Sequence, residues 1–199
     1  MSHRLRSKTA WVFDLDGTLT NPVHDFAHMR SALGMAENAD ILQTIAETKG
    51  AQRALLTQKL DKLEAHYAAR ASAAIGVEKL IAQLVKRNCL LGIFTRNTKE
   101  MALLSLQAIG VAQYFDSDFI IGRDQAPHKP NPVGLTQLLQ QWQVQVSDAV
   151  MVGDFRFDLE AGRAAGTATV HIAKDEQRWP ELTDYYYSSL VQLSADLAG

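Results

Sequence analysis

Asp14 and Asp16 stand two residues apart at the end of an apolar run, Ala10–Phe13, and Gly17 follows at once. In an extended segment residues i and i+2 share a face, so both carboxylates project together. Like charges held together repel unless a cation or a division of labour separates them. Gly17 permits a tight turn and lets backbone amides approach an anion. Taken alone, an Asp-Gly step is a common turn signal.

Three further apolar runs end in residues of related chemistry. Leu90–Phe94 leads into Thr95, Arg96 and Asn97, a hydroxyl and amides suited to phosphate oxygens, although Asn97 or Thr98 also serves as a helix N-cap. The run near Ile120 is followed by His128-Lys129-Pro130-Asn131-Pro132, where two prolines stiffen the loop that carries Lys129. Ala149–Val152 leads into Gly153 and Asp154, with Asp158 one helical turn on. Asp154 as an N-cap and Asp158 as first-turn dipole compensation are the plainer accounts. Four strand ends that all carry phosphate or metal chemistry are hard to reach by accident.

The elements that must position these residues alternate. Strands are expected at Ala10–Phe13, Leu90–Phe94, Phe119–Ile121, Ala149–Val152, Thr167–Ile172 and Tyr185–Tyr187, the last at an edge. Helical patterns fill Val77–Arg87, Thr98–Ile109, Pro132–Trp142, Phe155–Ala165 and Ser189–Leu197. Alternating strand and helix predicts an α/β fold, a Rossmann-like, doubly wound and mostly parallel sheet. Its expected order is 3-2-1-4-5, with the strands that carry Asp14, Thr95 and Asp154 side by side. Between Thr20 and Gly76 no strand is expected; helices at Val23–Leu33, Glu37–Lys49 and Ala51–Ala74 form a small insert, and Leu56, Leu60, Leu63 and Tyr67 give the last an apolar face. Gly34, Gly50 and Gly76 fall at helix ends.

The segments DLDGTLT, FTRN, HKPNP and VGDFRFDLEAGRAAG resemble, in order, the four motifs of the haloacid dehalogenase (HAD) superfamily, in the phosphoglycolate-phosphatase-like arrangement. The resemblance implies a core domain of residues 1–20 and 76–199, and a helical C1-type cap domain of residues 21–75. It implies a phosphatase that hydrolyses a small phosphorylated metabolite through an aspartyl-phosphate, with phosphoglycolate as the family-level substrate. Asp14 would be the nucleophile and Asp16 the general acid and base. Mg²⁺ would lie among the Asp14 carboxylate, the Asp16 carbonyl and Asp154, with Asp158 orienting a metal-bound water. Gly17, Thr95, Arg96 and Lys129 would bind the phosphoryl group.

The second aspartate argues against dehalogenation, and Lys49, Lys59 and Lys62 of the insert have polar neighbours that suit a solvated face better than a Schiff base. Two positions depart from the family pattern: Phe155 where a small hydroxyl residue is frequent, and Arg96 where Asn is frequent. The Arg96 side chain either reaches a substrate anion or points to solvent. The insert, about 55 residues, is short for such a cap. His24, Asp25 and His28 follow the hinge and could face the cleft, although a lone histidine is more often structural. A phosphomutase is the alternative within the fold, against which the short insert argues; a non-catalytic binding module would be favoured by a lost motif residue, and none is lost.

The bulk properties agree. The 199 residues are 47% hydrophobic, enough for one core and a small insert. The net charge of −2 gives no case for nucleic acid or an anionic membrane as a partner. A single cysteine, Cys89, excludes an internal disulfide and suits a reducing compartment. With no signal-peptide pattern and no stretch approaching ~20 apolar residues, a cytoplasmic protein is expected. Nothing in the pattern sets an oligomeric state.

Overall fold

The computed structural model describes residues 2–22, 25–173 and 178–199. Six strands form one parallel sheet: β1 (Ala10–Phe13), β2 (Leu90–Phe94), β3 (Ile120–Ile121), β4 (Ala149–Gly153), β5 (Ala168–Ile172) and β6 (Tyr185–Tyr187). Their order is β3-β2-β1-β4-β5-β6, the expected order extended by the edge strand. All four residues of β1 are buried, as a central strand covered on both faces requires.

Alternation along β1 divides the core. Trp11 and Phe13 enter a cluster with Leu80, Ile81 and Leu84 of α5 (Val77–Lys86), Leu106 of α6 (Lys99–Ala108) and Leu193 of α9 (Leu190–Ala198). Val12 faces the opposite layer, with Leu135 and Leu138 of α7 (Val133–Trp142) and Ala161 of α8 (Arg156–Ala165). Leu5 of a short N-terminal helix, α1 (Ser2–Arg6), joins the first cluster. The sequence gives that helix no signal, because it is polar and barely longer than one turn.

The register sets the upper rim of the sheet. Phe13 pairs with Ile93 on one side and Val152 on the other. Asp14 therefore lies one residue past a common level, and Thr95 and Asp154 two, within one or two ~3.3 Å steps of each other along the strands. This is the carboxyl edge of the sheet, where open α/β sheets bind their ligands.

Between β1 and β2 lie α2 (Phe26–Leu33), α3 (Ile41–Glu47) and α4 (Gly50–Ala68). Met29, Leu33, Ile41, Ile45 and Leu60 form their own apolar cluster, with Leu56, Leu63 and Tyr67 against it. The first two helices begin later than their apolar patterns suggest, because Asp25 and Asp40 cap them by accepting the N–H groups of His28 and Gln43. The third ends at Ala68, not Ala74. The chain instead returns beside its own exit: Asn21 N–H donates to Ser72 O and Ala74 N–H to Leu19 O, both at 2.9 Å, so tertiary pairing overrides the helix propensity of this alanine-rich run. Among the described residues no helix is long and apolar enough to cross a membrane.

Candidate active site

The carboxylates of Asp14, Asp154 and Asp158 converge at the rim, each offering an oxygen within 4.8 Å of the others. Asp14 and Asp158 are buried and Asp154 is nearly so. Lys129, 1% exposed, lies between two of them, with Nζ 2.5 Å from Asp14 Oδ1 and 2.6 Å from Asp158 Oδ1. Burial pulls the lysine pKa down, but the two carboxylates outweigh it and hold it above its ordinary range. The Thr18 hydroxyl spans the other pair, 3.2 Å from Asp14 Oδ2 and 3.0 Å from Asp154 Oδ1.

Lys129 does not balance three carboxylates. Burial, and then repulsion from Asp14 and Asp158, pushes Asp154 up to about 8. Burial also raises Asp158, to about 6, although Lys129 pulls it down. An oxygen-only donor set that keeps a proton at neutral pH for want of positive charge fits a hard divalent cation, for which carboxylates and waters are the preferred ligands.

Two glycines make room for this cluster. Gly17 has φ +97°, and a Cβ there would lie 2.5 Å from Asp154 Oδ2. At Gly153 a Cβ would fall 2.2 Å from the Cβ of Asp158, so the first turn of α8 can press against the end of β4. Asp154 is not the N-cap of α8. Phe155 takes that position, and its N–H donates to Asp158 Oδ2 at 3.0 Å, so Asp158 closes the helix from within. His171, fully buried on β5, supports the Asp154 carbonyl, its Nε2 donating at 3.0 Å.

Asp16 is half-buried and turned from the triad, with Oδ2 accepting from Asn97 Nδ2 at 3.3 Å. Thr98, not Asn97, caps α6. Thr95 is 1% exposed; its Oγ1 accepts the Asn97 N–H at 3.0 Å and keeps a proton to donate. Thr18, Asn97 and His171 join the expected residues. The sequence signal for Thr18 was its place just after the glycine turn; His171, on a distant strand, had none.

Arg96 takes neither of its two expected courses. Its guanidinium donates to both carboxylate oxygens of Asp40, at 2.9 and 2.7 Å, and lies over the Phe157 ring, 4.7 Å from the centroid. The loop after β3 sends a second arginine the same way. Arg123 donates to both oxygens of Glu64 on α4, at 3.0 and 2.7 Å, and to Asp61 at 2.9 Å. Two arginines thus fasten the helical insert over the rim, beside an open cleft of about 530 Å³ that reaches from Asp14 to α2. Phe155, 45% exposed, stands at the cleft with its ring edgewise to Phe157 and Trp179.

Asp25 and His28 belong to the insert's own scaffold. Asp25 caps α2, and His28 Nδ1 pairs with the Tyr67 hydroxyl at 3.1 Å; His24 lies outside the described residues. Lys49, Lys59 and Lys62 are exposed, as their neighbours suggested.

The haloacid dehalogenase-like hydrolase family matches residues 11–172, a span that holds every residue of this cluster. The chain belongs to that family. A haloacid dehalogenase-like hydrolase domain-containing protein of Arabidopsis thaliana is 30% identical, covering 90% of this chain and 76% of its own length. A phosphoglycolate phosphatase of Xanthomonas campestris is also 30% identical, over 83% of each chain. Among solved structures, a hydrolase from Pseudomonas syringae superposes with a TM-score of 0.79 at 23% identity, over 96% of this chain and 98% of its own, so the two share a fold.

Proposed function

We propose that this chain is a Mg²⁺-dependent phosphatase that hydrolyses a small-metabolite phosphomonoester, with phosphoglycolate as the first candidate substrate. Family membership, together with phosphatase-named relatives, supports a phosphoric monoester hydrolase. The metal, the substrate and the residue roles are our reading of the site. The observation that carries it is the contact of Lys129 with Asp14, opposite the Thr18 bridge to Asp154: one carboxylate held between a fixed cation and a second acid.

Asp14 is the nucleophile. One of its oxygens attacks phosphorus, the bond to the leaving oxygen breaks, and Asp16 gives that oxygen a proton. Asp16 then takes a proton from water, whose oxygen attacks the aspartyl-phosphate and frees the Asp14 carboxylate. Thr95, the Arg96 amide and Lys129 hold the phosphoryl oxygens, and Gly17 lets the turn approach them. The Asp14 carboxylate, the Asp16 carbonyl and the Asp154 carboxylate would hold Mg²⁺, with Asp158 orienting its water. When bound, the ion supplies positive charge against the phosphoryl oxygens. Residues 21–75 act as a small cap domain on the core of 1–20 and 76–199, and its arginine-fastened position limits water at the reacting centre. The phosphatase-named relatives support the substrate class, and the lone Cys89, whose thiol burial raises, suits a reducing cytoplasm.

The test is hydrolysis of a panel of phosphomonoesters, phosphoglycolate included, with Mg²⁺ and with EDTA, beside Asp14→Asn. Metal-dependent turnover that Asp14→Asn abolishes is expected. Turnover that survives the substitution, or none by a folded, Mg²⁺-binding protein, would overturn it.

A further inference from the structure

Resting on the phosphatase reading, we propose that Arg30 is a specificity residue that binds a second anionic group, on the leaving-group side of the substrate. Phe26, Met29 and Arg30 occupy one side of α2 at i, i+3 and i+4, and all three line the cleft that holds Asp14. Three cationic side chains line that cleft among the described residues: Lys129, Arg96 and Arg30. Lys129 is committed to Asp14 and Asp158, and Arg96 to Asp40. Arg30 alone of the three has no ion pair among the described residues; its Nε, like that of Arg96, is buried with no hydrogen-bond partner.

A guanidinium at the wall of a cleft, with no carboxylate to pair it, is one that a ligand oxyanion would complete. The apolar cluster of the insert lies beside it, with Met29, Ile41 and Leu60 among the lining, so its charge is less screened than in open solvent. The planar guanidinium fork suits a carboxylate or a phosphate, which share the chemistry of a compact oxyanion. The phosphoryl group belongs at Asp14, Thr95 and Lys129, on the sheet rim, whereas Arg30 comes from the insert. The substrate class is therefore a phosphomonoester that carries a second anionic group on its leaving-group side. Arg30 near the C-terminus of α2 also complements that helix's dipole, but a dipole needs no buried Nε.

The experiment compares kcat/KM for phosphoglycolate, for a sugar bisphosphate and for ethyl phosphate in the wild type, Arg30→Met and Arg30→Lys. The same compounds are titrated calorimetrically into the Asp14→Asn protein with and without Arg30→Met. The wild type is expected to favour one or both of the esters that carry a second anionic group. Arg30→Met should lose about tenfold more on those esters than on ethyl phosphate, through KM, and Arg30→Lys should recover part of it. The arm that suffers tells a carboxylate from a phosphate. Equal losses on all three esters, or none, would overturn the role of Arg30. If no ester turns over but calorimetry shows the Arg30-dependent preference, the phosphatase reading fails and the anion site stands.

Discussion

Arg96, one residue past the hydroxyl of Thr95, holds both carboxylate oxygens of Asp40 at the start of α3. A residue beside the proposed phosphate-binding hydroxyl therefore has its side chain committed to the insert. Burial works against the Asp40 carboxylate, but the Gln43 N–H and Arg96 outweigh it and hold its pKa below the usual range.

Asp40→Asn separates the two tasks of that side chain. Asparagine still accepts the Gln43 N–H, so the cap survives and the ion pair is lost. Because the pair is partly exposed, stability should fall by no more than about 1 kcal/mol. KM for the preferred ester should rise severalfold as Arg96 is released. Asp40→Ala should lose about 1 kcal/mol more, from the cap. Urea titrations and steady-state kinetics on the two variants check this; equal stability in both would count against the division.

Glu64 makes stability depend on pH. Burial raises its carboxyl to about 7 against the pull of Arg123, from an ordinary value of 4.5. Between these values the folded protein keeps a proton that the unfolded chain has released. Its contribution is thus fully present below about 4.5 and is lost as pH rises through 7. The difference in unfolding free energy between wild type and Glu64→Gln, which cancels the other carboxylates, should show this slope and level off above pH 7. Arg123→Met leaves an acid buried with no arginine; it should cost about 3 kcal/mol at pH 8 and less at pH 6, where Glu64 takes up a proton.

Divalent-metal binding should release protons. Asp154, held near 8 without a cation, is largely protonated at pH 7, so an ion that binds its carboxylate must displace that proton. Mg²⁺ affinity should therefore rise with pH up to about 8. Calorimetry at pH 7 in two buffers of different ionisation enthalpy measures the protons released; a buffer-independent enthalpy would contradict the prediction. Chelation should also lower the melting temperature of the metal-loaded protein.

Gly17→Ala should damage the site more than the fold. The positive φ costs an alanine about 1 kcal/mol, and its Cβ would press on the Asp154 carboxylate. Thermal unfolding should move by a few degrees. Metal affinity and turnover should each fall by about tenfold or more, which metal titration of the folded variant would show.

The sheet was legible because its cues are local. Each strand is a short apolar run followed by a turn, and alternating crossover helices make the strands parallel, so the aspartates, Thr95 and Lys129 could be placed at one rim by position alone. The fastening of the insert was not. Glu64 lies between Leu63 and Ala65 on a helix and reads as a solvated charge, yet it is 7% exposed and paired with an arginine 59 residues away. Arg123 follows a two-residue strand and carries no motif. Arg96 was visible but its partner was not, since Asp40 gains its meaning only when α3 lies over the rim. Such contacts depend on how two separately packed bodies meet, which no periodicity encodes.

The paired exit and return of the insert at Leu19–Asn21 and Ser72–Ala74 bear on its exchangeability. Both passages lie side by side, joined by backbone hydrogen bonds that ask nothing of side-chain identity. A different segment could be spliced between them without moving a strand, provided its two ends start a few ångströms apart. Arg96 and Arg123 would then be the long-range ion pairs a graft had to relearn, since both reach from the sheet to acids that the old segment supplied. The doorway makes chimaeras buildable, and the two arginines set the terms on which a foreign segment would be accepted.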